Sequence, residues 1–251
     1  MFSIKMITNS LNDIKLPLNF SWEETDYVTP PLNQKKSPLC WAYTSASMFS
    51  DRIRIKTKNL LLQNDYLSPD ILAMCYKYKY KNNNQSEYID DVLQYLVDYG
   101  AISANEYASN VIFRAKSKYR VSIYDDKYGL YENNPIDQNK ASLCNFKEYL
   151  LNLNEKAIML DLYLNGPVIA VIKICTDKNN NIYKYTNGIY GKNYEFCEKN
   201  DKYHSVIISG YGEKDGYKYW VVRNSWSEKF GMKGLMHIIR GVNYSDIESC
   251  V

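Results

Sequence analysis

Cys40, His204 and Asn224 are the residues of this 251-residue chain whose types and settings could do chemistry together. Cys40 follows Ser37-Pro38-Leu39 and opens an uninterrupted helical stretch to about Lys56, along which Ala42, Ala46, Phe49, Ile53 and Lys56 recur at helical spacing. A helix N-terminus carries partial positive charge, so a thiolate is favoured there over a thiol. Its unpaired backbone N–H groups can also hold an oxyanion, and the side-chain amide of Gln34 in the preceding loop could supply a second donor. A thiolate nucleophile needs a partner that can take and return a proton near neutral pH, which is the property of histidine. His204 opens an apolar strand, whereas His237 lies inside another between Met236 and Ile238. Asn224 ends a strand, so its amide oxygen could fix the ring and tautomer of a neighbouring imidazole, and Trp226 could keep water from that bond. Each residue alone has a plainer reading: a buried cysteine, a structural histidine, a strand-end turn.

The elements that must position these residues divide the chain. A second helix is expected from Ser68 to about Tyr76, with Ser68 as N-cap and Pro69 at the first helical position. A third is expected from Glu87 to Tyr99, stopped by Gly100. Beyond these, Pro167 to Ile174, His204 to Ser209, Tyr217 to Arg223 and Gly234 to Arg240 read as strands, with Glu213-Lys214-Asp215-Gly216 turning a hairpin. Helices first and strands later imply an α+β protein of two lobes, with a cleft between them as the place for a site.

Composition bounds the function. A net charge of +3 argues against nucleic acid or an anionic membrane as partner, and no apolar run approaches a membrane span. Lysines and tyrosines alternate over Tyr76 to Lys81, but the patch is short and reads as a solvated helix end. Six scattered cysteines (Cys40, Cys75, Cys144, Cys175, Cys197 and Cys250) form no C-x-x-C pair, so no metal site is expected. No secretory leader is read in Met1 to Ser10, so free thiols and an intracellular or otherwise reducing compartment are expected.

Taken in order, these segments resemble the papain family of cysteine peptidases, and within it most the cathepsin B group. The residues that carry the resemblance are Asn33-Gln34, Cys40-Trp41-Ala42, Ser50-Asp51-Arg52-Ile53, Leu67 to Leu72, Asn165-Gly166-Pro167-Val168, His204-Ser205-Val206, Gly210-Tyr211-Gly212, Tyr219 to Trp226, Arg240-Gly241 and Ile247-Glu248-Ser249. The resemblance implies one papain-like domain over 1–251, with a leader at 1–19, a mainly helical lobe at about 27–118, a mainly β-barrel lobe at about 119–243 with antiparallel strands, and a tail at 244–251 returning to the helical lobe. It implies Cys40 as nucleophile, His204 as base then acid, Asn224 as orienter, and Gln34 with the Cys40 N–H as oxyanion hole. It further implies a monomer acting on polypeptides without a cofactor, and a substrate pocket near Val171, Tyr203 and Trp226.

Departures from that family pattern shape the expectation. Ser37-Pro38-Leu39 stands where the family has Cys-Gly-Ser, so Cys75 lacks its usual partner. The glycine-rich strip that holds substrate backbone is replaced near Tyr80 to Gln85, Phe230 stands for a tryptophan and Ser227 for a glycine. Two distant histidines cannot form the adjacent pair of the cathepsin B occluding loop, so an endopeptidase is expected. Only about 20 residues precede the region like the mature enzyme, so control is expected from expression, compartment or that leader. A catalytically weak peptide-binding module and a thiol-dependent acyltransferase stand as alternatives.

Overall fold

The computed structural model describes residues 14–59, 62, 65–79, 89–105, 155–176, 181–193, 202–249 and 251. The lobe boundary near 118, the segment that replaces the glycine strip, Cys144, Cys197, Cys250 and the first 13 residues lie outside them.

Three helices come first: α1 (Cys40–Thr57), α2 (Pro69–Lys79) and α3 (Ile89–Tyr99). Leu39 caps α1 without a side-chain hydrogen bond, and the helix stops at Lys58, which adopts the left-handed conformation and returns its N–H to carbonyls of the last turn. The Ser68 hydroxyl accepts the Ile71 N–H at 3.3 Å, the expected cap of α2. Trp41, Ala46, Phe49 and Ile53 of α1 pack with Leu72 and Tyr76 of α2 and Val92 and Leu96 of α3 into one apolar core.

A helix at 155–165, α4, is not among the expected elements, although Gly166 at positive φ and Pro167 directly after it are a helix stop signal. The strands follow it: β2 (Val168–Lys173), β3 (Ile189–Tyr190), β4 (Tyr203–Lys214), β5 (Tyr217–Arg223) and β6 (Leu235–Ile239), with β1 (Phe20–Ser21) supplied by the N-terminal segment. All pairings are antiparallel except β3 with β6. The order is β1-β4-β5-β6-β3, with β2 also on β4. The expected barrel is therefore corrected. Among the described residues the strands make one open, mixed sheet, because β3 pairs only with β6 and no strand joins the two edges. Asp215-Gly216 turn the β4–β5 hairpin with positive φ at both positions, the chemistry expected there.

Alternation along β2 and β4 couples the two halves. Val168, Ala170 and Ile172 face the β core with Val206, Ile208 and Trp220, while Ile169 and Ile207 point the other way and join the helical core. The helical half is thus seated directly on the strand that carries His204.

Candidate active site

Cys40 is the first residue of α1, half-buried, with a free thiol and no acidic residue in the first helical turn. The N–H groups of Ala42 and Tyr43 turn back to the Leu39 carbonyl, so the first turn is closed. Thr44, one turn further on, meets Ser205, the residue after His204, through a hydroxyl contact of 2.9 Å. The start of α1 and the start of β4 are therefore brought together.

His204 is buried, and its Nε2 lies 2.8 Å from Oδ1 of Asn224. That oxygen also accepts the Ser225 backbone N–H at 2.7 Å. An N–H can donate only to the oxygen of the amide, so the second bond fixes which way Asn224 faces. The oxygen cannot donate, so Nε2 carries the proton and Nδ1 is left for exchange. The Trp226 ring stacks on His204 at 4.7 Å and 24°. Burial lowers the His204 pKa, and the bond to Asn224 pulls it partly back.

Asn224 is placed by the turn behind it. Its N–H donates to the Gly234 carbonyl at 3.0 Å. Gly234 has φ +86°, and a Cβ there would lie 2.3 Å from Cβ of Pro31, so only glycine fits.

Gln34 is buried and its amide is also fixed. Nε2 donates to the Ser37 carbonyl at 2.8 Å, and Oε1 accepts the Ser225 hydroxyl at 2.5 Å. Its backbone N–H donates to the Ser225 carbonyl at 2.8 Å, and Asn33 bridges to Trp226. Gln34 and Asn224 are thus tied through one residue, Ser225.

Val171 pairs with Ser205 across β2 and β4, and Tyr203 pairs with Lys173. Both lie on the face toward the helical half. Tyr203 is 57% exposed and Val171 is half-buried, and alternation along the strands puts both on the face opposite the His204 side chain. His237 is remote in register, stacked on Tyr219 at 4.1 Å.

Reading the sequence missed the charges behind the site. Asp51 of α1 and Arg223 of β5 form a fully buried ion pair. Thr29 donates its N–H to Asp51 at 2.6 Å and also its hydroxyl, while its carbonyl accepts from Arg223. Glu23 lies 3.5 Å from the same guanidinium. Burial pushes the Asp51 carboxyl up against the opposing pull of Arg223 and Thr29. Arg223 immediately precedes Asn224, so this pair pins the Asn224 strand to the Cys40 helix. A charge at the end of the apolar run Tyr219 to Val222 was the available signal. Among the described residues no cluster of three or more His, Cys, Asp or Glu could hold a metal.

A papain family cysteine protease model matches residues 16–251. The chain belongs to the papain family of cysteine proteases. Its curated relatives include human tubulointerstitial nephritis antigen, 30% identical over 241 residues that cover 88% of this chain and 48% of the relative. Mouse cathepsin K is 27% identical over 229 residues, 91% of this chain and 61% of the relative. The gut-specific cysteine proteinase of Caenorhabditis elegans is 26% identical over 255 residues, 92% of this chain and 69% of the relative. The chain thus spans about half of the first of these relatives and under two thirds of the second. Among solved structures, procathepsin B S9 of Trypanosoma congolense superposes with a TM-score of 0.64 at 22% identity, covering 99% of this chain and 79% of that one. The fold is papain-like and α+β.

Proposed function

We propose that the protein is a cysteine endopeptidase in which Cys40 is the nucleophile, His204 the proton carrier, Asn224 the orienting residue, and Gln34 with the Cys40 N–H the oxyanion hole. The observation that carries this reading is the fixed His204–Asn224 pair, on a strand that meets the Cys40 helix through the Thr44–Ser205 contact. Two lobes divide the work, about 27–118 carrying the thiol and about 119–243 the imidazole; Tyr244 and Ile247 of the tail are buried in the β core, not in the helical one.

The reaction follows from these positions. The Cys40 proton passes to Nδ1 of His204, and the thiolate attacks the substrate carbonyl carbon. The oxyanion that forms is met by the Cys40 N–H and by the second amide hydrogen of Gln34, since Ser37 takes the first. Nδ1 then gives its proton to the departing amine, the C–N bond breaks, and a Cys40 thioester remains. Water attacks that thioester, His204 takes a proton from it, and the released thiol regenerates the starting state. Throughout, Asn224 holds Nε2–H, and Trp226 excludes water from that bond. The scheme uses no cofactor. Val171, Tyr203 and Trp226 border the substrate, with an apolar or aromatic side chain favoured two residues before the scissile bond.

The test is a randomised peptide library analysed by mass spectrometry. Internal cuts by wild type that vanish in Cys40→Ala support the endopeptidase. Cuts confined to the last two residues of each peptide would contradict it. A second reading is a peptide-binding module without turnover, favoured by the match to tubulointerstitial nephritis antigen, whose name states no enzymatic activity. Binding of library peptides without any cleavage would select it.

A further inference from the structure

Two buried hydroxyls meet between α1 and β4. Thr44 is 2% exposed and Ser205 is 4% exposed, and their Oγ1 and Oγ atoms are 2.9 Å apart. Neither hydroxyl has a role in the proton transfers above. Thr44 lies one helical turn from Cys40, and Ser205 is next to His204 in β4. The same Thr44 lines a small pocket together with Asn224 and Ser225. One side chain of α1 therefore faces the strand of the histidine and the turn of the asparagine together.

The protons can be assigned. Thr44 Oγ1 lies 2.9 Å from the Cys40 carbonyl and 3.2 Å from the Trp41 carbonyl, and both can only accept. A threonine hydroxyl has one proton, and these carbonyls take it. The proton in the contact with Ser205 then comes from Ser205. The neighbouring interlobe contacts, Ile169 and Ile207 on the helical core, are apolar and set no direction. The hydroxyl pair is directional, and it reaches the backbone of the nucleophile itself through the Cys40 carbonyl.

Resting on the assignment of Cys40 and His204 as the reacting pair, we propose that Thr44 and Ser205 form a latch that sets the separation of the thiol and the imidazole, and that both are positioning residues for the reaction. The bond pattern makes the two ends unequal. Ser205→Ala leaves Thr44 still bonded to the helix carbonyls. Thr44→Val leaves the Ser205 hydroxyl buried without its acceptor, so it is the more damaging change.

The experiment is the rate of Cys40 alkylation by iodoacetamide at pH 6 and pH 9.5, alongside kcat and KM for a cleaved peptide. At pH 6 a reactive thiolate depends on proton transfer to His204; at pH 9.5 any accessible thiol, with an ordinary pKa of about 8.5, is ionised without help. Thr44→Val is expected to slow alkylation at pH 6 and to lower kcat by about three- to tenfold, the scale of one hydrogen bond, with KM nearly unchanged. Ser205→Ala is expected to do the same more mildly, Thr44→Ser to restore the wild-type rates, and all four proteins to react alike at pH 9.5. Unchanged rates in both variants, or equal slowing at both pH values, would overturn the latch while leaving the catalytic assignment standing. A wild type that is itself unreactive at pH 6 would overturn the assignment and the latch with it.

Discussion

Asn224 has one amide oxygen engaged twice, by the His204 ring and by the Ser225 N–H, and this sets its place in the mechanism. Asn224→Ala removes the group that holds Nε2 and should lower kcat by about 10²-fold or more, with kcat/KM falling in step, since the bond matters most as the imidazolium forms. Steady-state kinetics check this, and a rise in KM alone would contradict the orienting role. Ser227 gives a second residue-scale prediction. It sits at φ +68°, a conformation that costs a non-glycine residue about 1 kcal/mol, and its hydroxyl offers only a 3.3 Å contact to the Lys229 N–H in return. Ser227→Gly should raise stability by roughly 0.5–1 kcal/mol in urea titrations. His204 and His237 are both held below the usual histidine pKa, chiefly by burial. The unfolded chain then binds protons that the folded chain does not. In a Cys40→Ala background, where no thiolate can retain the His204 proton, these histidines make stability fall as pH drops through about 6.5. Replacing each with Gln should flatten that part of the pH dependence of unfolding, and an unchanged slope would show that burial does not act this way.

Between elements, the strongest directional tie is the buried Asp51–Arg223 pair joining α1 to β5, with Thr29 bonded to both. Removing Asp51 leaves the Arg223 charge buried with the more distant Glu23 carboxylate as its remaining acidic neighbour. Asp51→Ala should cost about 3–5 kcal/mol, measured by chemical unfolding, while the double change of Asp51 and Arg223 to apolar residues should cost less than the two singles added. α1, α2 and the β4–β5 hairpin were legible in sequence because each has its own signal: helical spacing after Leu39, Ser68-Pro69 at a helix start, and Asp215-Gly216 between apolar runs. β1 and β3 were not, because two-residue strands carry no alternation to read. The Asp51–Arg223 and Thr44–Ser205 contacts were not legible either. Their partners lie 172 and 161 residues apart, and nothing local to either end announces the other.

At the scale of the molecule, the two halves share β2 and β4 as a common wall, with one side in each core. This shared wall holds the helix that begins at Cys40 against the strand that carries His204, as the proposed mechanism requires. The fold class and the family were readable from the order of short motifs along the chain, whereas the sheet's open, mixed form was not, since strand closure depends on pairings that no motif encodes. The most direct measurement is active-site titration with a thiol-directed epoxide peptide probe under reducing conditions, read by intact mass and peptide mapping. The account predicts one adduct per chain, on Cys40, absent in Cys40→Ala and strongly slowed in His204→Ala. Failure of the wild type to label, or labelling of Cys75 in place of Cys40, would contradict it.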